Sequence, residues 1–154
     1  MIARLADPFD DQEQILIGLR DFVSRMEFSD FLPPDHLFEP FVVELLSNPQ
    51  IETAVVEHEG KLVAGLGLAY VPFVWNPQLT QADELFFWAS PDAPKAAALR
   101  VLRFSLSRIR ERAALADAKV LACFRKLTSS PDKVGQVYNK IGLREIETTY
   151  MGYF

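Results

Sequence analysis

The sequence predicts one α+β domain spanning residues 1–154, with a central, mostly antiparallel mixed sheet of six to seven strands flanked by about four helices. Three observations lead there. Apolar residues recur at helical spacing in four segments and at strand-like spacing in the others, so the two kinds of element are distinguishable along the chain. The β-branched and aromatic segments cluster mid-chain, between paired helical segments and one long amphipathic one. A 154-residue chain that is 49% hydrophobic and 24% charged can bury a full core, and it contains no linker, repeat or low-complexity tract.

Taken in order, Ala3 and Leu5 mark a short first strand, and Asp10 with Glu13 form a capping pair for a helix on which Ile15, Leu19, Phe22, Val23 and Met26 recur. An aromatic, proline-bearing loop follows from Phe28 to Pro34. The second helix lines one face with Phe38, Phe41, Val42, Leu45 and Leu46 and stops at Asn48 and Pro49. Thr53–Glu59 reads as a strand, Glu59 and Gly60 as a turn, and Lys61–Val74 as a long strand. Pro72–Gln81 is expected to be a loop, Ala82–Ala89 a strand, and Lys95–Ala116 a helix with Leu99, Leu102, Leu106, Ile109 and Ala113 facing inward. Lys119–Leu127 reads as a strand and Asp132–Ile141 as a short helix capped by Gly142. Leu143–Phe154 reads as a last strand.

Charge is divided along the chain. Residues 1–94 carry 4 basic and 16 acidic side chains, residues 95–154 carry 12 and 5, and the two parts give the total of −5. Such a division suits a polyanionic ligand or contact between the acidic part of one copy and the basic part of another. The acidic total points away from general nucleic-acid binding. The single cysteine, Cys123, cannot form an internal disulfide. The sequence opens without a charged-then-apolar leader, and its longest uncharged run, Leu62–Gln81, is broken by glycines and prolines. The expected place is therefore the cytoplasm, with no membrane partner.

The segment ELFFWASPDAPKAAALRVL, Glu84–Leu102, carries the most chemistry. A strand that runs into a helix leaves the first N–H groups of that helix aimed beyond the strand end, where they favour an anion. A phosphate-binding turn also needs glycines, so that the phosphate can approach bare backbone. From Ala93 to Leu99 there is none.

The order of elements resembles the GNAT superfamily of acyl-CoA-dependent N-acetyltransferases over nearly the whole chain. The resemblance is most specific in ELFFWASPDAP, Glu84–Pro94, and in VYNKIGLREIETTYMGYF, Val137–Phe154, where Tyr138, Lys140, Gly142 and Leu143 match the family's terminal signature. It implies a GNAT fold, with Tyr138 in the place of the tyrosine that protonates the departing thiolate and Glu84 near that of a carboxylate base. It also implies acetyl-CoA as cofactor, held around Ala89, Lys95, Ala96, Ala97, Ala98 and Arg100. The chain departs from the pattern there, with Pro94 in the place of an arginine, Ala97 and Leu99 in those of two glycines, and Pro131 in that of an asparagine. Lys95, Arg100, Arg103, Arg125 and Lys126 could return positive charge to the same helix end. Residues 73–88, FVWNPQLTQADELFFW, further resemble GNAT-like proteins of tailed bacteriophages, which implies a place in the host cytoplasm or in a virion.

Each of these residues also has an ordinary explanation. Tyr138 shares a helix face with Val134, Val137 and Ile141, Glu84 can end a strand in solvent, Cys123 can be a small buried hydrophobe, and the arginines of the long helix can be its wet face. Trp75, Trp88, Phe28, Phe31 and Phe38 are core candidates, although the loop aromatics could instead mark a contact surface. His36 and His58 have no partners at metal-ligand spacing, so no metal is expected. Two functions follow. The favoured one is a GNAT-fold protein that has lost acetyl-CoA chemistry, needs no cofactor and acts by contact with a protein partner or other copies of itself. The alternative is an active N-acetyltransferase with an unusual grip on acetyl-CoA.

Overall fold

A computed structural model describes residues 1–25, 34–124 and 131–145. Five strands among them, β1 (Ile2–Leu5), β2 (Ile51–His58), β3 (Lys61–Phe73), β4 (Asn76–Ala89) and β5 (Val120–Cys123), form one sheet in sequence order. The first four are antiparallel neighbours and β5 runs parallel to β4. The helices are α1 (Gln12–Ser24), α2 (Phe38–Ser47), α3 (Ala97–Leu115) and α4 (Pro131–Lys140).

The strands bury both faces. Val55 of β2 points to a core with Ile15 and Leu19 of α1 and Val42 and Leu45 of α2. Its neighbours Ala54 and Val56 point to the opposite core, with Val101, Leu102 and Ile109 of α3 and Tyr138 of α4. This period-two alternation places α1 and α2 on one side of the sheet and α3 and α4 on the other.

Local chemistry sets the turns. Glu59 and Gly60 have φ of 51° and 74°, the positive pair that a two-residue hairpin between β2 and β3 demands. Gly142 has φ of 92°, and its N–H donates to Asn139 O at 3.1 Å while Leu143 N–H donates to Tyr138 O at 3.1 Å, which closes α4 as a Schellman cap.

Glycines on β3 make room for aromatics on β4. Gly65 pairs with Trp88 and Gly67 with Phe86, and a Cβ built on Gly65 would stand 2.5 Å from the indole nitrogen of Trp88. The indole is only 3% exposed and also lies against Gly18 of α1, so it has nowhere to withdraw. Gly65→Ala is accordingly expected to lower stability by about 1–3 kcal/mol in urea denaturation, the usual cost of overpacking a filled core.

Several sequence expectations are corrected. Asp10 and Glu13 do not cap α1, because the N-cap is Asp11, whose side chain makes no capping bond. Asp11 is 2% exposed and is held by Arg4 at 2.5 and 2.9 Å, and Arg4 also reaches Glu57, which ties β1, β2 and the start of α1 together. This guanidinium keeps the Asp11 carboxyl below the usual carboxylate range. Residues 72–81 are not a loop: β3 and β4 continue as one hairpin, with Phe73 opposite Asn76 and Val74–Trp75 at the tip. Trp75 is not core, at 85% exposed, and Phe41 of α2 faces outward at 41%. On α3 the buried positions are Ala97, Val101, Leu102, Ser105 and Ile109, whereas Leu99, Leu106 and Ala113 are half-buried. The five described strands are fewer than the six to seven expected, and residues 143–145 are not in a strand. The rest of that expected last strand, Met26, Phe28–Pro33, Arg125 and Lys126 lie outside the described residues.

Candidate active site

The two candidate catalytic residues meet although 54 positions apart, with the Tyr138 hydroxyl donating to Glu84 Oε2 at 2.7 Å. A bulge on β4 makes the meeting possible. Gly67 pairs with Phe86 and Leu68 with Glu84, so Leu85 is the extra residue. Leu85 and Phe86 both pack with the α1/α2 core, while Phe87 packs with the opposite one. Simple alternation would have placed Glu84 with Phe86 and Trp88, under α1. The bulge turns it instead toward α4.

Both partners are buried, Glu84 at 2% and Tyr138 at 6% exposed. The Tyr138 ring is further enclosed by Phe124, edge-on at 5.5 Å between centroids, and by Phe87 at 6.5 Å. Burial, then the negative charge of Glu84 and its hydrogen bond, push the phenol well above the ordinary tyrosine value. Such a phenol resists losing its proton. It donates its hydrogen bond to the carboxylate.

The parallel pairing of β4 with β5 runs from Thr80 opposite Val120 to Asp83 opposite Cys123, while β4 continues to Ala89. Among the described residues, Glu84 is thus the first of β4 past the last pair with β5. Cys123, at that last pair, is half-buried.

The turn from β4 into α3 is held by its own backbone, through Ser90 N–H to Val63 O at 2.9 Å, Ala93 N–H to Ser90 O at 3.0 Å and Ala97 N–H to Pro94 O at 2.7 Å. The helix starts at Ala97, two residues after the position the sequence predicts, and its N-cap, Ala96, has no side chain to cap with. Of the implied cofactor residues, Lys95 and Ala96 are exposed, Ala89 and Ala98 half-buried, and Ala97 fully buried. The Arg100 guanidinium donates one hydrogen bond to Met1 O at 2.6 Å and is otherwise exposed. Ala96, Leu99, Arg100 and Arg103 line a shallow depression of about 290 Å³ on the outer side of the helix. These residues supply cations and helix N–H groups suited to an anion, and the Leu99 side chain lines the depression beside them.

Two further arginines of α3 act structurally. Arg108 and Arg112 reach Glu52 of β2 at 3.3 and 3.4 Å, and Arg112 lies 4.0 Å over the Tyr70 ring. Sequence pattern alone assigns these arginines to the wet face and C-terminal charge of the helix, since nothing local links residue 52 to it. His58 approaches Glu59 at 4.0 Å, and no cluster of metal-ligating side chains occurs among the described residues. No helix among them is long and apolar enough to cross a membrane.

No protein-family model matches the sequence, and no curated protein does. Solved structures do match. A transcriptional regulator from Bacillus halodurans C-125 has a TM-score of 0.75 at 16% identity, with 99% of each chain covered. A possible acetyltransferase from Clostridium difficile 630 has a TM-score of 0.72 at 13% identity, with 99% of this chain and 96% of the other covered. A ribosomal-protein-alanine N-acetyltransferase from Brucella melitensis biovar Abortus 2308 has a TM-score of 0.70 at 16% identity, with 99% and 98% covered. At such identities what is shared is the fold, and this chain has the fold of the GNAT acetyltransferases.

Proposed function

We propose that this chain is a GNAT-fold protein without acetyl-CoA chemistry, a pseudoenzyme that works by protein–protein contact. The observation that carries the reading is the buried hydrogen bond from Tyr138 to Glu84. A general acid must surrender its proton to the departing thiolate. Here that would leave a tyrosinate against a carboxylate in a site closed to water, where like charges cost most. The turn at α3 agrees, since the resemblance puts Pro94 in the place of an arginine and Ala97 and Leu99 in those of two glycines, and Leu99 lines the outer depression. The likeness of residues 73–88 to tailed-phage proteins extends the reading to a bacteriophage protein, either part of the virion or directed at the host.

Titration of the purified protein with acetyl-CoA by calorimetry tests this. The expected result is no binding heat at millimolar ligand. Micromolar binding that desulfo and dephospho analogues weaken would overturn the reading.

One observation favours the alternative, an active N-acetyltransferase. Among the described residues, β4 runs past its last pair with β5 and leads to the first turn of α3, a path on which an extended acyl carrier could pair with backbone. Under that reading Tyr138→Phe would lower kcat for amine acceptors by about 10²–10⁴, as loss of a general acid does.

A further inference from the structure

The division of charge along the chain places an acidic helix, α2, on one side of the sheet and an arginine-rich helix, α3, on the other. On the α1/α2 side, α2 exposes Leu37, Pro40, Phe41 and Val43 together with Glu39 and Glu44, and the helix contains no lysine or arginine. On the opposite side, the outer face of α3 exposes Arg100, Arg103 and Arg110 beside the depression floored by Leu99. Arg103 and Arg110 have no acidic partner among the described residues. One side is therefore an apolar knob with acidic flanks, and the other is an apolar hollow with basic flanks.

We propose that these two faces bind each other in successive copies of the chain, with Phe41 of one copy seated over Leu99 of the next and Glu44 and Glu39 meeting Arg103 and Arg100. The proposal rests on the reading that the turn at α3 is free of CoA, and it names the partner as the chain itself. Complementary charge selects a second copy over an unrelated protein, because the acidic apolar face and its basic counterpart are both carried by the same molecule. The geometry also fixes the kind of assembly. Two different faces on opposite sides of one sheet make a head-to-tail contact, which yields a ring or an open series and not a two-fold dimer. The attraction weakens as salt screens the flanking charges.

Sedimentation velocity of the full chain tests this with four proteins: the wild type, Glu44→Arg, Arg103→Glu and the double variant. The wild type should gain mass continuously with concentration at low salt and lose it near about 0.5 M salt, where the screening length is only a few ångströms. Each single variant should remain monomeric, because one of its faces now repels the other. Mixed together, the single variants should assemble again in alternation, since the Glu44 face of Arg103→Glu fits the Arg103 face of Glu44→Arg and the two reversed faces fit each other. The double variant should assemble again. A wild type that stays monomeric, or a dimer that neither single variant disturbs, would overturn the proposal and assign the faces to other partners. Both substitutions are at exposed positions, and circular dichroism confirms that the variants fold. Acetyl-CoA calorimetry on the wild type reads the parent reading separately, so failure of one is not mistaken for failure of the other.

Discussion

Tyr138→Phe is expected to lower the free energy of unfolding by about 1–3 kcal/mol, because it removes only a hydroxyl yet takes a donor from a buried carboxylate. A phenol that faced an open cleft would be replaced by phenylalanine at almost no cost, its hydroxyl having been exchanged for water. The size of the loss in urea denaturation therefore separates a structural tyrosine from a catalytic one. A cycle with Glu84→Gln, whose amide oxygen can still accept the hydroxyl, should recover part of the loss. The pH dependence carries a second signature. The Tyr138 phenol is raised above its ordinary value of 10.0, so the folded protein keeps this proton where the unfolded chain has lost it. Its contribution is complete below pH 10 and declines as pH rises beyond it. The wild type should thus lose stability more steeply than Tyr138→Phe above pH 10. Tyr70, pushed up to about 12 mainly by burial, titrates in both proteins and cancels in the comparison. Equal slopes would show that the phenol is solvated and would remove the main support for a non-catalytic site.

What the sequence made legible was local. The Glu59–Gly60 turn, the inward face of α3 at Leu102 and Ile109 and the Gly142 cap are each decided by residues within a turn or two of one another. The errors arose where distant geometry overrode local pattern. Pro72 and Pro77 looked like loop residues, yet the β3–β4 hairpin projects past the last β2 pair at Ala69 and past the first β5 pair at Thr80. Among the described residues no strand pairs with that outer edge, and a missing N–H costs nothing there. Trp75 and Phe41 were assigned to the core because apolar side chains usually are, although one sits on a hairpin tip and the other on the outer flank of α2. The site was half legible. Resemblance identified Tyr138 and Glu84 singly, but their hydrogen bond depends on the bulge at Leu85, and period-two reading places Glu84 on the wrong side of the sheet.

The largest functional change is expected from restoring Pro94→Arg, Ala97→Gly and Leu99→Gly together, which should create a measurable affinity for CoA where the proposed function expects none. Each substitution answers a separate physical defect. The arginine supplies a charge-assisted contact worth about 1.5–3 kcal/mol, or roughly tenfold to a hundredfold in affinity. Leu99→Gly acts by subtraction, opening the first turn of α3 so that its N–H groups meet phosphate without a side chain between them, whereas Ala97→Gly, at a side chain packed in the core, lets the turn's backbone relax toward the ligand. The arginine alone should therefore achieve little, because Leu99 still stands in the path. Stability must fall at the same time. Ala97 is fully buried, and each glycine in a helix costs about 1 kcal/mol relative to alanine, so folding is verified by circular dichroism before the titration. The scaffold should tolerate the change, since the turn is closed by Pro94 O accepting from Ala97 N–H, and an arginine at 94 keeps that carbonyl. CoA affinity in the folded triple variant would mean that the cleft behind the turn is intact and that binding was lost at three side chains. A folded triple variant that still ignores CoA would mean that Tyr138, Phe87 and Phe124 have closed the cleft itself, or that the turn does not stand where the resemblance places it.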